Sequence, residues 1–226
     1  KVLVIAAHPD DEVLGCGGTI VRHIEKGDEV HVVILAEGIT SRDKSRNRKK
    51  RSIEIKNLSL SAKKAHKILG TKSLKLFDLP DNRMDSIDLL DIVKMVEKEV
   101  NKIFPKIIYT HHVSDLNIDH SITHQAVITA CRPEPGKSVK KFCCFEIPSS
   151  TDWQSVTADK FFKPNCFIDI SRTLKKKLSA LKAYKSEMKS WPHSRSIKAI
   201  ESLARWRGSS VGLKAAESFI IIRELL

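Results

Sequence analysis

The chain begins with Val2-Leu3-Val4-Ile5-Ala6-Ala7-His8-Pro9-Asp10-Asp11-Glu12, in which an apolar run leads directly into one imidazole and three carboxylates. The apolar run is short and rich in β-branched residues, which predicts a strand buried on both faces of a parallel sheet. His8 then lies just past the carboxyl end of that strand, where open α/β sheets bind their ligands. A helix start after Pro9 would account for one capping carboxylate, but not for three beside a histidine. We therefore expect chemistry at this amino-terminal cluster, residues 8–12.

A second cluster of polar residues follows another short apolar run, and its sequence is His111-His112-Val113-Ser114-Asp115-Leu116-Asn117-Ile118-Asp119-His120. If both apolar runs are strands of one parallel sheet, His8, Asp11 and His120 can meet around one ion. Two imidazoles and a carboxylate suit Zn²⁺, and three protein ligands leave a fourth position open, as in catalytic zinc sites. Asp10 is adjacent to a ligand but directed elsewhere, so it is the expected general base.

The two clusters resemble the motifs of the PIG-L/LmbE-like metal-dependent N-deacetylases, which remove acetyl groups from amino sugars and their conjugates. A His-Pro-Asp-Asp-Glu sequence after an amino-terminal strand, with a distant Asp-His pair, carries most of this resemblance. Further stretches extend it over most of the chain, namely Gly15–Thr19, Leu79–Arg83, Leu203–Gly208 and Ala216–Phe219.

The resemblance implies a metal cofactor and a set of site residues. His8, Asp11 and His120 would hold Zn²⁺; Fe²⁺ or another divalent metal is the alternative, because affinity favours zinc whereas availability can reverse occupancy. Asp10 would be the base, and Asp119 would orient either a catalytic imidazole or the ligand His120. The implied substrate is an N-acetylated amino sugar or sugar conjugate, free, nucleotide-linked or lipid-linked, which would release acetate and a free amine.

The chain departs from the family pattern at Asn117. Many family members have a histidine there, three residues before the last ligand, where it stabilises the oxyanion or protonates the leaving amine. Asparagine donates a hydrogen bond but cannot shuttle a proton, so Asn117 is expected to contact substrate only. The general acid is therefore left open among four candidates, which are His111, His112, His193 and Asp10.

Two further residues are candidates through the resemblance. Arg83 matches a position that contacts the hydroxyls of the substrate, although an arginine that stabilises a turn is the alternative. His193 lies in Trp191–Arg195, which resembles the loop that closes over the site, and we assign it to catalysis as a donor to the oxyanion or leaving group. A cap for the following helix is the alternative interpretation of this stretch.

Strand-like and helix-like segments alternate along the chain. Strands are predicted at Val30–Leu35, Leu74–Phe77 and Ile107–Tyr109, with amphipathic helices between them. Later, the spacing of Leu174, Leu178, Leu181 and Met188 predicts a helix, and Phe219–Ile222 predicts a strand. With right-handed crossovers, this order gives an α/β Rossmann-like three-layer fold with a mostly parallel sheet and helices on both faces. We expect residues 1–226 to form one domain.

Two rival functions follow from the fold and the charge. A nicotinamide-dependent dehydrogenase is disfavoured because Gly15, Gly17 and Gly18 do not fit G-x-G-x-x-G, and the neighbouring carboxylates would repel a pyrophosphate. The glycines more readily permit close packing of helix on sheet. A nucleic-acid-binding protein is suggested by the net charge of +13. However, no DNA- or RNA-binding motif accompanies that charge, and aromatic residues make up only 6% of the chain.

The densest basic stretch, Arg42–Arg51, holds seven basic residues and one acidic residue. A solvated surface segment is one interpretation, and guidance of an anionic substrate is the other.

The five cysteines are odd in number and lack C-x-x-C spacing, so we expect reduced thiols in a cytoplasmic protein. The apolar runs are too short for a transmembrane segment, and the amino-terminal run enters the motif and does not read as a signal peptide. Both a monomer and a homo-oligomer are left open.

Overall fold

The computed structural model describes residues 1–137, 139–155, 157 and 160–226. Within them, seven strands form one sheet with the order β3-β2-β1-β4-β5-β7-β6. The strands β1 to β5 run parallel, and β7 lies antiparallel between β5 and β6. Their bounds are Val2–Ala6 for β1, Val30–Ala36 for β2, Ser73–Leu79 for β3, Ile107–His111 for β4, Lys141–Phe145 for β5, Cys166–Asp169 for β6 and Ala216–Glu224 for β7.

Helices cover both faces of this sheet. Alternate side chains of β1 and β2 point to opposite faces, so Val4 packs in one core and Leu3 in the other. The first core lies against α1, α2, α5 and α6, and the second lies against α3 and α4. The helices are α1 (Asp11–Glu25), α2 (Ser52–Leu69), α3 (Leu89–Ile103), α4 (Ile118–Ala130), α5 (Leu174–Leu181) and α6 (Ile197–Ser209).

This architecture confirms the predicted three-layer α/β fold, while two late elements differ from prediction. The late helix ends at Leu181 and does not reach Met188. Strand β6 was not predicted, because its residues are all only partly buried and form no strong apolar run. Our interpretation of residues 1–226 as one domain stays a prediction.

The glycines after β1 permit the close packing that the sequence predicted. A Cβ atom on Gly15 would lie 2.4 Å from the ring of Phe145, at the end of β5. A Cβ atom on Gly18 would lie 2.8 Å from Ile170. Because any larger residue would push α1 away from the sheet, these glycines set how closely the amino-terminal cluster approaches β5.

All five cysteines have free thiols, as predicted, and four of them are buried. Every helix in the described part of the chain is too short or too polar to cross a bilayer.

Candidate metal centre

The two polar clusters meet at the carboxyl ends of β1 and β4, which are neighbouring parallel strands. Three ligand atoms face one another there. His8 Nδ1 lies 3.2 Å from Asp11 Oδ2 and 3.3 Å from His120 Nε2, and His120 Nε2 lies 3.1 Å from the same Asp11 oxygen. The predicted ligands therefore form a nearly equilateral triangle, although His8 and His120 are 112 residues apart.

This triangle fits a divalent metal ion. Zinc bonds of 2.0–2.2 Å in tetrahedral geometry place ligand atoms roughly 3.3 Å apart, which agrees with the three separations above. The side chains of Asp11 and His120 are fully buried, and that of His8 is 11% exposed. Asp11 Oδ1 is buried without a hydrogen-bond partner. The donor set, two imidazoles and one carboxylate, is the set expected of zinc and of neighbouring divalent metals.

A carboxylate holds the outer nitrogen of each ligand imidazole. Asp119 Oδ2 lies 2.9 Å from His8 Nε2, and Asp115 Oδ1 lies 3.1 Å from His120 Nδ1. Asp119 is itself fixed by the backbone N–H groups of Asn82 and Met84. These contacts leave His8 Nδ1 and His120 Nε2 to face the triangle, as in carboxylate–histidine–metal arrangements.

The partner of Asp119 differs from the expectation that it orients His120 or a separate catalytic imidazole. Consecutive residues on a helix point about 100° apart, so Asp119 and His120 at the start of α4 face different directions. Asp119 reaches the other ligand, His8. The carboxylate that orients His120 is Asp115, to which the sequence analysis assigned no role.

The charges of the triangle favour a bound cation. Burial alone lowers the pKa of His120, but Asp11 and Asp115 outweigh it and raise that pKa to about 9. Burial alone would raise the pKa of Asp11, yet His120 and His8 hold it well below its ordinary value. Asp11 is thus an anion beside imidazoles that retain protons at neutral pH, and a metal ion would replace those protons.

Asp10 is buried beside the triangle with a different partner. Its Oδ2 accepts a hydrogen bond of 3.0 Å from Arg195 Nη1. Burial raises the pKa of Asp10 well above its ordinary value, and Arg195 opposes that shift. The backbone of Asp10 has a φ of 117°, and its N–H donates to Glu12 Oε2. Arg195 Nη2 also lies 3.9 Å from Asp11 Oδ1, so one guanidinium faces both carboxylates, and the role of Asp10 as a base stays a prediction.

His111 and His112, both candidates for the general acid, have structural contacts. His111 Nε2 accepts a hydrogen bond of 2.8 Å from the Ala7 N–H, and its ring stacks on His120 with centroids 4.0 Å apart. Burial lowers the pKa of His111 well below its ordinary value. His112 packs edge-on against Phe162, and burial lowers its pKa as well. Neither ring has a contact with Asp10.

The three remaining candidates have their contacts outside the triangle. Asn117 caps α4, with its Oδ1 accepting from the Asp119 N–H, so its amide NH₂ remains a donor. Arg83 donates to the carbonyl groups of Asp43 and Lys44, so it contacts the segment that follows β2 and not its own turn. His193 Nδ1 accepts from the Arg195 N–H, and its ring lies edge-on to Trp153. In these contacts His193 touches no metal ligand, whereas Arg195 of the same loop reaches Asp10.

The basic segment Arg42–Arg51 is extensively ion-paired. Glu37 binds Arg46 and Arg48, while Asp43 binds Lys50 and Arg51. Arg42 pairs with Glu187. Among the described residues, only Lys44 and Lys49 of this segment lack a carboxylate partner. These pairs favour a solvated, internally compensated surface over a nucleic-acid-binding patch.

Asp115 and Arg195 have no role assigned from the sequence, although both lie in the motif stretches given above. A usable signal existed for Asp115, since a buried ligand histidine usually has a carboxylate or carbonyl on its other nitrogen. No comparable local signal existed for Arg195, because its contact with Asp10 spans 185 residues.

The comparison with known proteins agrees with this geometry. A family model described as PIG-L, GlcNAc-PI de-N-acetylase, matches residues 3–131, which include both polar clusters. The chain belongs to the PIG-L family. This membership confirms the resemblance inferred from the motifs. Independently of this membership, the carboxylates at the start of α1 disfavour a dinucleotide-dependent dehydrogenase, because they would repel a pyrophosphate there.

Relatives of this PIG-L protein include named deacetylases. The uncharacterized deacetylase YaiS of Escherichia coli K12 is 30% identical over 191 residues, covering 82% of this chain and 90% of that protein. Diacetylchitobiose deacetylase of Thermococcus kodakarensis is 28% identical over 199 residues, covering 83% of this chain and 70% of that protein.

A solved structure shows that the same fold also serves another reaction. GalB, the 4-carboxy-2-hydroxymuconate hydratase of Pseudomonas putida KT2440, superposes with a TM-score of 0.74 at 21% identity, covering 100% of this chain and 98% of that one. The activity therefore has to be argued from the site as well as from the fold.

Proposed function

We propose that this protein is a metal-dependent N-deacetylase that hydrolyses the acetamide of an amino sugar or sugar conjugate. The observation that carries the proposal is the triangle of His8, Asp11 and His120 with the separate carboxylate of Asp10 beside it. Membership of a de-N-acetylase family supports the same reaction. The deacetylase relative from Thermococcus, named for diacetylchitobiose, supports an N-acetylated sugar as substrate class.

Asp10 is proposed as the base that activates water. It accepts a proton from the water that attacks the acetyl carbonyl carbon, and burial supports this role by keeping its pKa high. Arg195 holds the carboxylate in one orientation. A divalent ion held by His8, Asp11 and His120 would polarise the acetyl carbonyl and the attacking water as a Lewis acid, with Zn²⁺ the expected ion and Fe²⁺ the alternative.

Protonated Asp10 is also our proposed general acid. As the C–N bond breaks, it returns the proton to the amine nitrogen, and acetate and a free amine leave. Asn117 supports this reasoning because an amide in place of a histidine cannot deliver a proton. With its oxygen engaged in the helix cap, Asn117 is proposed to donate from its NH₂ group to the oxyanion or to a sugar hydroxyl.

Arg83 and His193 keep their proposed roles at the rim, with different support. His193 Nδ1 accepts a backbone hydrogen bond, so Nε2 carries the proton and is the ring's donor, which suits a contact to the oxyanion or leaving group. Arg83 already donates to the carbonyl groups of Asp43 and Lys44, so it would reach substrate hydroxyls through its remaining N–H groups.

The five free cysteines support the expectation of a reducing, cytoplasmic compartment.

An anionic substrate is the finer part of the proposal, and the net charge of +13 supports it. Because Arg42–Arg51 is mostly ion-paired, any guidance would come from the overall field of the protein. We expect the apparent KM for an anionic substrate to rise with added salt and that for a neutral sugar to stay constant. Equal salt dependence for the two substrates would contradict the anionic preference.

The experiment that tests the reaction is a screen for released acetate. Purified, metal-loaded protein is incubated with N-acetyl sugars in free, nucleotide-linked and lipid-linked form, and both acetate and free amine are quantified. We expect equal amounts of the two products from at least one class. The matched control is Asp10→Asn, which keeps the metal ligands. Metal-loaded protein that releases no acetate from any of these compounds would contradict the proposal.

A further inference from the structure

The helix α1 is broken one turn after its start. Cys16 has φ −145° and ψ 24°, which is not helical, and the turn before it carries the metal ligand Asp11. In a regular helix the Gly18 N–H would donate to the Leu14 carbonyl. The break therefore separates a single turn, Asp11–Gly15, from the rest of α1 and frees backbone groups on both sides of it.

A buried ion pair lies in this break. Lys177 Nζ donates to the Leu14 carbonyl at 2.7 Å and pairs with Glu217 Oε1 at 2.6 Å. The two oxygens of Glu217 accept from the Gly18 and Thr19 N–H groups, at 2.9 and 2.7 Å. Both charged side chains are only 4% exposed. The pair thus partners backbone groups on each side of the broken turn.

The opposite end of the same turn is also fixed by a buried side chain. Glu12 Oε2 accepts from the Asp10 N–H, while Glu12 Oε1 accepts from His66 Nε2 and the Tyr184 hydroxyl. The single turn is therefore held at its start by Glu12 and at its end by Lys177. Asp11 lies between the two anchored backbone groups, which are the Asp10 N–H and the Leu14 carbonyl.

An unbroken helix would need no such ion pair, and burying two charges carries a desolvation cost. The Lys177–Glu217 ion pair instead fixes the one-turn segment so that it points toward the strand ends. We propose that Lys177 and Glu217 are positioning residues for the metal site, holding the turn so that Asp11 Oδ2 meets both ligand imidazoles. This inference rests on the proposed metal site, but not on the identity of the substrate.

The test uses metal affinity and the spectrum of bound Co²⁺ in the Lys177→Met variant. Methionine keeps an unbranched apolar stem of four atoms and removes the ammonium. We expect Zn²⁺ affinity, measured by competition with a chromophoric chelator, to fall by about 10- to 100-fold. We also expect the visible Co²⁺ bands to shift, because the position of the Asp11 carboxylate changes. With a substrate in hand, kcat should fall more than KM changes.

Glu99→Gln is the matched control, since Glu99 is buried and pairs with Lys75 between α3 and the edge strand β3. It should lower the melting temperature without altering Co²⁺ bands or metal affinity. Glu217→Gln is the milder variant if Lys177→Met does not fold, because glutamine keeps the shape and one acceptor oxygen.

Three outcomes separate the possibilities. Reduced metal affinity in Lys177→Met or Glu217→Gln, with Glu99→Gln unchanged, supports the proposal. Folded variants with wild-type affinity and spectrum would overturn it and leave the ion pair a stabilising contact only. A wild-type protein that binds neither ion would instead overturn the proposed metal site.

Discussion

The two polar clusters that meet at the strand ends use their carboxylates in different ways. In residues 8–12, the three acidic side chains have three separate tasks: Asp10 pairs with Arg195, Asp11 completes the triangle, and Glu12 anchors backbone. In residues 111–120, Asp115 and Asp119 share one task, since each holds a ligand imidazole. The same residue type thus acquires its role from its contacts, and substitutions in the two clusters should have different signatures.

The largest effect is expected from Asp10→Asn in the first cluster. Loss of a general base should lower kcat by about 10²- to 10⁴-fold, while the ligand triangle keeps its metal. Turnover and metal content, measured on the same preparation, check this separation. Wild-type turnover in Asp10→Asn would contradict the assignment of Asp10 as the general base.

In the second cluster, Asp119→Asn and Asp115→Asn should act on metal affinity first. Each removes the negative charge behind a ligand imidazole, so we expect an affinity loss of about 10- to 100-fold. Chelator competition measures this loss, and Asp85→Asn, on the exposed surface beside Met84, is the control. Wild-type affinity in both variants would show that the two clusters do not differ as described.

Metal affinity should also depend on pH through the second cluster. Because the pKa of His120 is raised to about 9, its imidazole is protonated below that pH and must release a proton to bind a metal. Affinity should therefore increase by about tenfold per pH unit between pH 6 and 8, and more steeply if His8 also releases a proton. Titrations at several pH values measure the slope, and a flat profile would contradict the raised pKa.

The smallest effect concerns Asn117, which lies in the second cluster between Asp115 and Asp119. Asn117→Ala removes both the cap of α4 and the amide donor, so stability should fall by about 1 kcal/mol. Asn117→Asp keeps the cap and removes the donor, and should lower kcat/KM by roughly tenfold or less. Thermal melts and kinetics on both variants separate these effects. Unchanged kinetics in Asn117→Asp would limit this residue to capping.

The sequence was sufficient to predict the sheet and the meeting of His8, Asp11 and His120, because the ends of the strands are marked locally. Apolar runs that end in polar clusters mark the strand ends, and a parallel sheet brings such ends to one edge. The βαβ alternation predicts that the early strands run parallel, whereas the order of the strands in the sheet was not predicted. These inferences need only periodicity and the geometry of crossovers.

The remaining contacts depend on packing between distant segments. The sequence favours His193 over Arg195 as a catalytic residue, because histidine is the commonest general acid and base and nothing in the sequence shows which side chain faces Asp10. Strand β6 has too few buried residues to be visible as a strand. Predicting that Asp119 pairs with His8 requires the direction of α4 after its cap. A sequence motif does not give that direction.

The position of β7 has a consequence for the order of assembly. This strand, although last in the chain, lies between β5 and β6 and carries Glu217, which partners α1 across 198 and 199 residues of sequence. Contacts of such sequence separation form slowly, and on a ribosome they must wait until almost all of this sequence has been synthesised. The amino-terminal cluster is therefore completed only after β7 has been synthesised, because a nascent chain without β7 leaves the Gly18 and Thr19 N–H groups without their carboxylate partner.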